Sequence, residues 1–166
     1  MSKKFFTFFY LILLLPFVIF AQKQQLYINN DYGFCLFQNP FKDEKIHNFS
    51  VYTIEWESKN CPFADTLPDF ENPDGLSLSQ IQSKRVIVGK KHIKACYLEN
   101  YEGGAAGSVY VAYYYIFREK NNRLLILKFT LRFTNCGMTT SKRKCREENH
   151  RKIKRVKQYM KSFYFI

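Results

Sequence analysis

Histidine, tryptophan and acidic residues are scarce in this 166-residue chain: three His and one Trp, with 14 Asp or Glu against 26 Lys or Arg. The five cysteines, Cys35, Cys61, Cys96, Cys136 and Cys145, contain no C-x2-C pair. That excludes the common structural zinc patterns and the thioredoxin-type redox motif. A G-x-S-x-G elbow, a G-x-x-x-x-G-K-[ST] phosphate loop and a G-x-G-x-x-G fingerprint are missing too. Serine hydrolase, P-loop and dinucleotide chemistry therefore have no local signature. The stretch DFENPDG looks like a calcium loop, but aligning Gly75 with the loop glycine puts Phe70 at the first ligand position and Ile81 at the twelfth. Both positions need acids, so the match fails. Nuclease-type acid–base catalysis wants two histidines and a lysine converging on a phosphate. His92, beside Lys90 and Lys91, with His150 is the candidate set, and nothing in the spacing brings it together; His47 stands apart.

Residues 1–21, MSKKFFTFFYLILLLPFVIFA, have the layout of a secretory signal peptide. Lys3 and Lys4 form a positive start, Phe5–Phe20 is an apolar run interrupted by Pro16, and Ala21 offers a small residue for cleavage before Gln22. The run is short for a membrane span, and QKQQ follows it instead of a positive stop-transfer cluster, so no stable span is expected after cleavage. A cysteine at the cleavage point, which a lipoprotein anchor would need, is absent. Losing Lys3 and Lys4 takes the formal charge from +12 to +10. Such a charge suits polyanions or anionic surfaces, and it also suits simple solubility.

Residues 22–166 read as one domain. LYI and FCLF flank the turn formers Asn29, Asn30, Asp31 and Gly33, predicting a hairpin that ends at Pro40. Phe49–Glu57 has strong strand propensity. Cys61–Gly75 is rich in proline and acids and reads as a surface loop. Leu76–Ser83 allows a short helix, and Lys84–Asn100 reads as two strands meeting near Gly89. Val109–Phe117 is apolar on both alternating faces, as a doubly covered strand should be. In Arg123–Phe133 the odd positions from Leu125 are apolar while Lys128, Thr130 and Arg132 break the other face, which predicts an antiparallel partner more exposed on one side. Ile153, Val156, Met160 and Phe163 mark one face of a C-terminal amphipathic helix, with Glu147 and Glu148 near its start. Strands first and a long helix last give an α+β class with a mainly antiparallel sheet.

Cys136 and Cys145 bracket the strand-to-helix connection with C-x8-C spacing, which favours a disulfide staple over a metal site in an exported chain. Cys61 and Cys96 can form a second bridge, and the odd count leaves a thiol over; Cys35, within a strand, is expected to be buried and inert. EGGAAGS, Glu102–Ser108, either forms a backbone nest for an anion around Gly103, Gly104 and Ser108 or lets backbone approach a neighbouring element closely. Ten Lys or Arg lie between Lys142 and Lys161. They form either a solvated helix face or an anionic-surface contact, with Lys152 and Arg155 as the candidate contacts. No recognised nucleic-acid module accompanies them, so nucleic acid is the less favoured partner.

YINNDYGFCLFQNP near the start, EGGAAGSVYVAYYYIF in the middle, LKFTLRFTNCG with its second cysteine, and IKRVKQYMKSF at the end resemble small bacterial exported proteins of unknown function. In layout those are similar to the PsbP-like α/β fold. Cys35 and Gln38-Asn39 depart from the hairpin pattern. The resemblance implies a sheet covered by helices on both faces, in a domain used for binding or assembly. The combined expectation is an exported, non-catalytic domain of the bacterial envelope, secreted or periplasmic, with no cofactor or metal. Its partner would be an unknown protein or an anionic envelope component. A cationic secreted nuclease or polyanion-binding effector is the competing class.

Overall fold

A computed structural model of the chain describes residues 26–67, 70, 81–104, 107–119 and 122–166. The expected leader with its Ala21–Gln22 cleavage point, and most of the expected Leu76–Ser83 helix, lie outside the described residues. Within that helix segment Gln82 is described, and it makes an antiparallel bridge with Phe63.

Eight strands are described: β1 Tyr27–Asn29, β2 Phe34–Leu36, β3 Asn48–Glu55, β4 Lys84–Val88, β5 Ile93–Tyr101, β6 Ser108–Arg118, β7 Arg123–Thr134 and β8 Tyr164–Phe165. One helix, α1, spans Lys142–Ser162 between β7 and β8. β3–β7 form an antiparallel five-stranded sheet in the order β3-β7-β6-β5-β4, and β1, β2 and β8 form a three-stranded one. The class is α+β, as the order of elements predicts.

The register of β6 and β7 sets Tyr113, Tyr115 and Phe117 beside Phe129, Leu127 and Leu125 on the front face. α1 covers that face with Val156, Tyr159 and Met160, joined by Phe163 just past its end, all buried. Phe163 stacks on Phe117 at 4.1 Å between ring centroids. Burying aromatic side chains of this size is among the largest single contributions to a core, at roughly 3–5 kcal/mol each on truncation. The chain then continues into β8, which pairs with β2, so the two ends of the domain share a sheet. Gly89, at φ +70°, lies under this junction. Its N–H donates to the Met160 carbonyl at 2.8 Å. A Cβ there would stand 2.3 Å from the Phe163 carbonyl oxygen, so only glycine fits.

Three expectations need correction. The back face of β7 is covered, not exposed: every residue from Leu124 to Leu131 is buried, Lys128 and Thr130 included. Leu67, Phe70 and Ile81 cover it beside Tyr114, Ile116 and Ile126. The described part of the expected Cys61–Gly75 surface loop is accordingly not simply at the surface, because Cys61, Ala64 and Leu67 are buried. α1 also begins before Glu147, at Lys142, so Cys145 sits inside it and its first turn carries no acid.

A buried polar knot locks α1 to the segment after β2. Arg155 Nε donates to Asp43 Oδ2 at 2.5 Å, Tyr159 Oη donates to the same oxygen at 2.8 Å, and the Lys45 N–H donates to Oδ1 at 3.0 Å. The guanidinium also donates to Gln38 Oε1 and lies over the Phe37 ring. Burial pulls the Asp43 carboxyl up, but the bonds from Arg155, Tyr159 and Lys45 outweigh it and hold the pKa below the ordinary aspartate value. A depressed folded-state pKa contributes stability that is complete above the unfolded value, near about 4, and is lost as pH falls through the lower folded value. Asp43→Asn should therefore cost about 3 kcal/mol at neutral pH by leaving Arg155 unpaired. In urea titrations the gap from wild type should stay constant above pH 5 and close below pH 4.

Candidate functional site

Cys136–Cys145 is a disulfide with its Cα atoms 5.6 Å apart. It ties the turn after β7 to the start of α1, and Asn149 reinforces it: its Nδ2 donates to the Thr134 carbonyl at 2.9 Å while its Oδ1 accepts from the Thr134 N–H at 3.2 Å. Lys142, Arg143 and Lys144 oppose the helix dipole at this end. The staple holds the turn in place against that repulsion. Cys61–Cys96, Cα atoms 5.7 Å apart, joins the loop after β3 to β5. Cys35 is the free thiol among the described residues and is buried in β2.

Gly103 and Gly104 close the β5–β6 turn, with Ala105 and Ala106 outside the described residues. The Glu102 N–H donates to the Tyr110 carbonyl, and the Gly103 carbonyl accepts from the Tyr110 N–H, both at 2.9 Å. A Cβ on Gly104 would stand 2.1 Å from the Ser108 carbonyl oxygen. Close backbone approach accounts for Gly104, and a φ of +78° accounts for Gly103. Ser108 Oγ accepts from Arg132 Nε at 2.9 Å. The cations of Lys152 and Arg155 are engaged within the fold: Lys152 Nζ donates to the Arg132 carbonyl at 2.7 Å, and Arg155 belongs to the Asp43 knot.

His92 and His150 are not brought together. His92 is in the β4–β5 turn and faces a hollow beside Lys157 and Lys161, whereas His150 lies on the outer side of α1 among Arg146, Glu147, Arg151 and Lys154. Among the described residues no group of three or more His, Cys, Asp or Glu could hold a metal ion, and no helix is long and apolar enough to cross a membrane.

Two polar clusters, one buried and one half-exposed, had no signature in the sequence. Lys128 Nζ meets Glu102 Oε1 at 2.6 Å, and Thr130 Oγ1 donates to Glu102 Oε2 at 3.4 Å. Asn100 lies in the same region of the back face, its Nδ2 buried with no hydrogen-bond partner. Under α1, Tyr97 Oη donates to Glu99 Oε2 at 2.9 Å, with Tyr113 and Tyr115 beside it. Burial, then the Glu99 charge, pushes the Tyr115 phenol up to about 12, and the same causes raise Tyr97 and Tyr113. These phenols stay protonated at any physiological pH and serve as hydrogen-bond donors and apolar wall.

Two concave features flank β4. On the back side of the sheet a cleft of about 940 Å³ has Ile87, Ile116, Leu124 and the Cys61–Cys96 bridge in its floor and Lys59, Arg85, Lys94 and Arg118 around it. On the front side a hollow of about 590 Å³ has Val86, Val88, Tyr97, Tyr115 and Met160 in its floor and Lys157 and Lys161 at its rim. Neither lining includes a carboxylate. Arg118 also donates to the Ser58 carbonyl, which fixes the loop wall of the cleft. The local signal was available in KRVIVGKKHIK, where cations alternate with apolar residues, but strand pairing was needed to show which of them share a face. No protein-family model, curated protein or solved structure matches the chain.

The two disulfides should differ in worth. Closing the larger loop, Cys61–Cys96, should stabilise by roughly 4 kcal/mol, and Cys136–Cys145 by roughly 2.5–3 kcal/mol on the chain-entropy account. Replacing each pair with serine and measuring urea midpoints checks the order. Only loss of Cys61–Cys96 should also shift the fluorescence of Trp56, whose Nε1 donates to the Asn60 carbonyl beside that bridge.

Proposed function

We propose that this chain is an exported, non-catalytic binding domain of the bacterial envelope whose site is the cationic cleft beside β4 and whose ligand is anionic. The observation that carries the reading is the lining itself: four cations around an apolar floor with no carboxylate among the lining residues. Opposed charges would cancel such a field, whereas cations of one sign on low-dielectric walls focus it and attract anions. The disulfides support an oxidising compartment, in line with the leader-like residues 1–21. A sheet carrying a long C-terminal helix is compatible with a PsbP-like domain, the layout its sequence blocks resemble.

The cationic nuclease is the weaker reading, since His92 and His150 border different hollows. The test uses fluorescein-labelled polyglutamate and phosphatidylglycerol vesicles as anionic probes at low salt. Wild-type protein should bind at least one of them. Arg85→Glu combined with Lys94→Glu, both exposed positions, should weaken binding roughly tenfold or more, and salt should weaken it further. His92→Ala with His150→Ala should leave it unchanged. Binding indifferent to the charge reversal, or an RNA-cleaving activity lost in the double histidine variant, would overturn the proposal.

A further inference from the structure

β4 is an edge of the five-stranded sheet, and among the described residues its outer side has no strand partner. The Glu102 N–H bonds the Tyr110 carbonyl of β6, so by alternation the even-numbered residues of β5 direct their backbone groups toward β6 and the odd-numbered ones toward β4. Their partners in β4 are Lys84, Val86 and Val88. Arg85 and Ile87 therefore turn their N–H and C=O groups outward. Gly89, of the same parity, confirms the direction, because its N–H reaches away from β5 to the Met160 carbonyl. The two hollows open on opposite sides of this strand, and Val86 and Ile87 line both.

We infer that β4 accepts an extended acidic peptide as an added strand, its alternate side chains entering the cationic cleft on one face and the Lys157–Lys161 hollow on the other. Successive residues of a strand point to opposite faces, which is what two flanking hollows require. Each hollow pairs an apolar floor with cations, matching a segment that mixes acidic and aliphatic residues. A second copy of the chain is a poorer occupant. Antiparallel pairing of two β4 edges centred on Val86 would set Arg85 opposite Ile87 and bring two cationic clefts side by side, and the like charges of the two copies then repel. The inference rests on the cationic-cleft reading and adds backbone pairing to it.

The probe is an acetylated, fluorescein-labelled hexapeptide alternating glutamate and valine, with a second version N-methylated at alternate residues. The unmethylated peptide should bind and slow exchange of the Arg85 and Ile87 amides. N-methylation on the β4-facing side should weaken binding roughly tenfold or more, as should Ile87→Pro, which removes an outward N–H that an edge strand does not use internally. Equal binding of both peptides, or unprotected Arg85 and Ile87 amides in the complex, would overturn strand addition. If Arg85→Glu with Lys94→Glu still abolished binding in that case, the cleft reading would stand without it. Binding of phosphatidylglycerol vesicles with none of the hexapeptide would also overturn the inference, making the occupant a lipid surface.

Discussion

Over their central residues β6 and β7 have no solvent face. Between Ala112 and Phe117 on one strand and Leu124 and Leu131 on the other, every residue is buried. Two adjacent central strands that are apolar on both sides need two independent covers, and the rest of the chain divides into supplying them. α1 and the N-terminal hairpin close the front. The loop after β3, carrying Ala64, Leu67 and Phe70, covers part of the back. A helix presents a continuous apolar stripe and docks by packing alone. An irregular loop has no such stripe, and here a disulfide to β5 anchors it. The same logic explains why β2 and β8 meet: once α1 lies on the front face, Phe163 inserts between Phe117 and Phe34, and the last residues have the exposed side of β2 to pair with.

The central pair was readable as strands because YVAYYYIF leaves no polar phase and LLILKFTL is apolar at every odd position from Leu125, although Lys128 and Thr130 in the other phase hid the cover on that side. The helix was readable because Ile153, Val156, Met160 and Phe163 repeat at one period. Its start was not, since Lys142, Arg143 and Lys144 are poor first-turn residues by charge; Cys145 is held there by its bridge, and that outweighs the unfavourable dipole term. Lys128 was misread for a related reason. A lysine in a strand signals water unless a carboxylate from elsewhere reaches it, and Glu102 arrives from the far end of β5 only when the register is known. The Asp43 knot has the same character. β8, two residues long, carries no periodicity to detect.

The cations of the chain separate into those the fold uses and those it leaves facing solvent. Arg155, Lys152 and Lys128 bond carboxylates or carbonyls inside the domain. Arg143 and Arg123 pair with Glu147 and Glu119 on the surface, which is worth little in stability. Around β4 the balance is different, since Lys59, Arg85, Lys94 and Arg118 have no carboxylate among the residues lining the cleft with them. A net charge spread evenly would favour solubility alone. Concentration of one sign beside a concave apolar surface creates a local field that an anion can use.

Charge on an edge strand also has a defensive meaning, since lysines there prevent sheets from adding to one another. The two edges of this sheet let the meanings be separated. At β3 the turn Pro40–Lys42 lies against the strand, with the Phe41 ring 5.0 Å from Phe49, so the edge is partly covered by the chain itself. At β4 the two residues that turn outward differ: Arg85 carries a charge, whereas Ile87 is aliphatic and 66% exposed. An aliphatic residue there invites pairing, and the lysines and arginines around it then select which segment can pair. The edge repels copies of itself and of other cationic strands while remaining open to an acidic one. Specificity by exclusion of like charge, joined to an apolar contact that rewards any extended segment able to approach, is the physical sense of leaving this one strand uncovered.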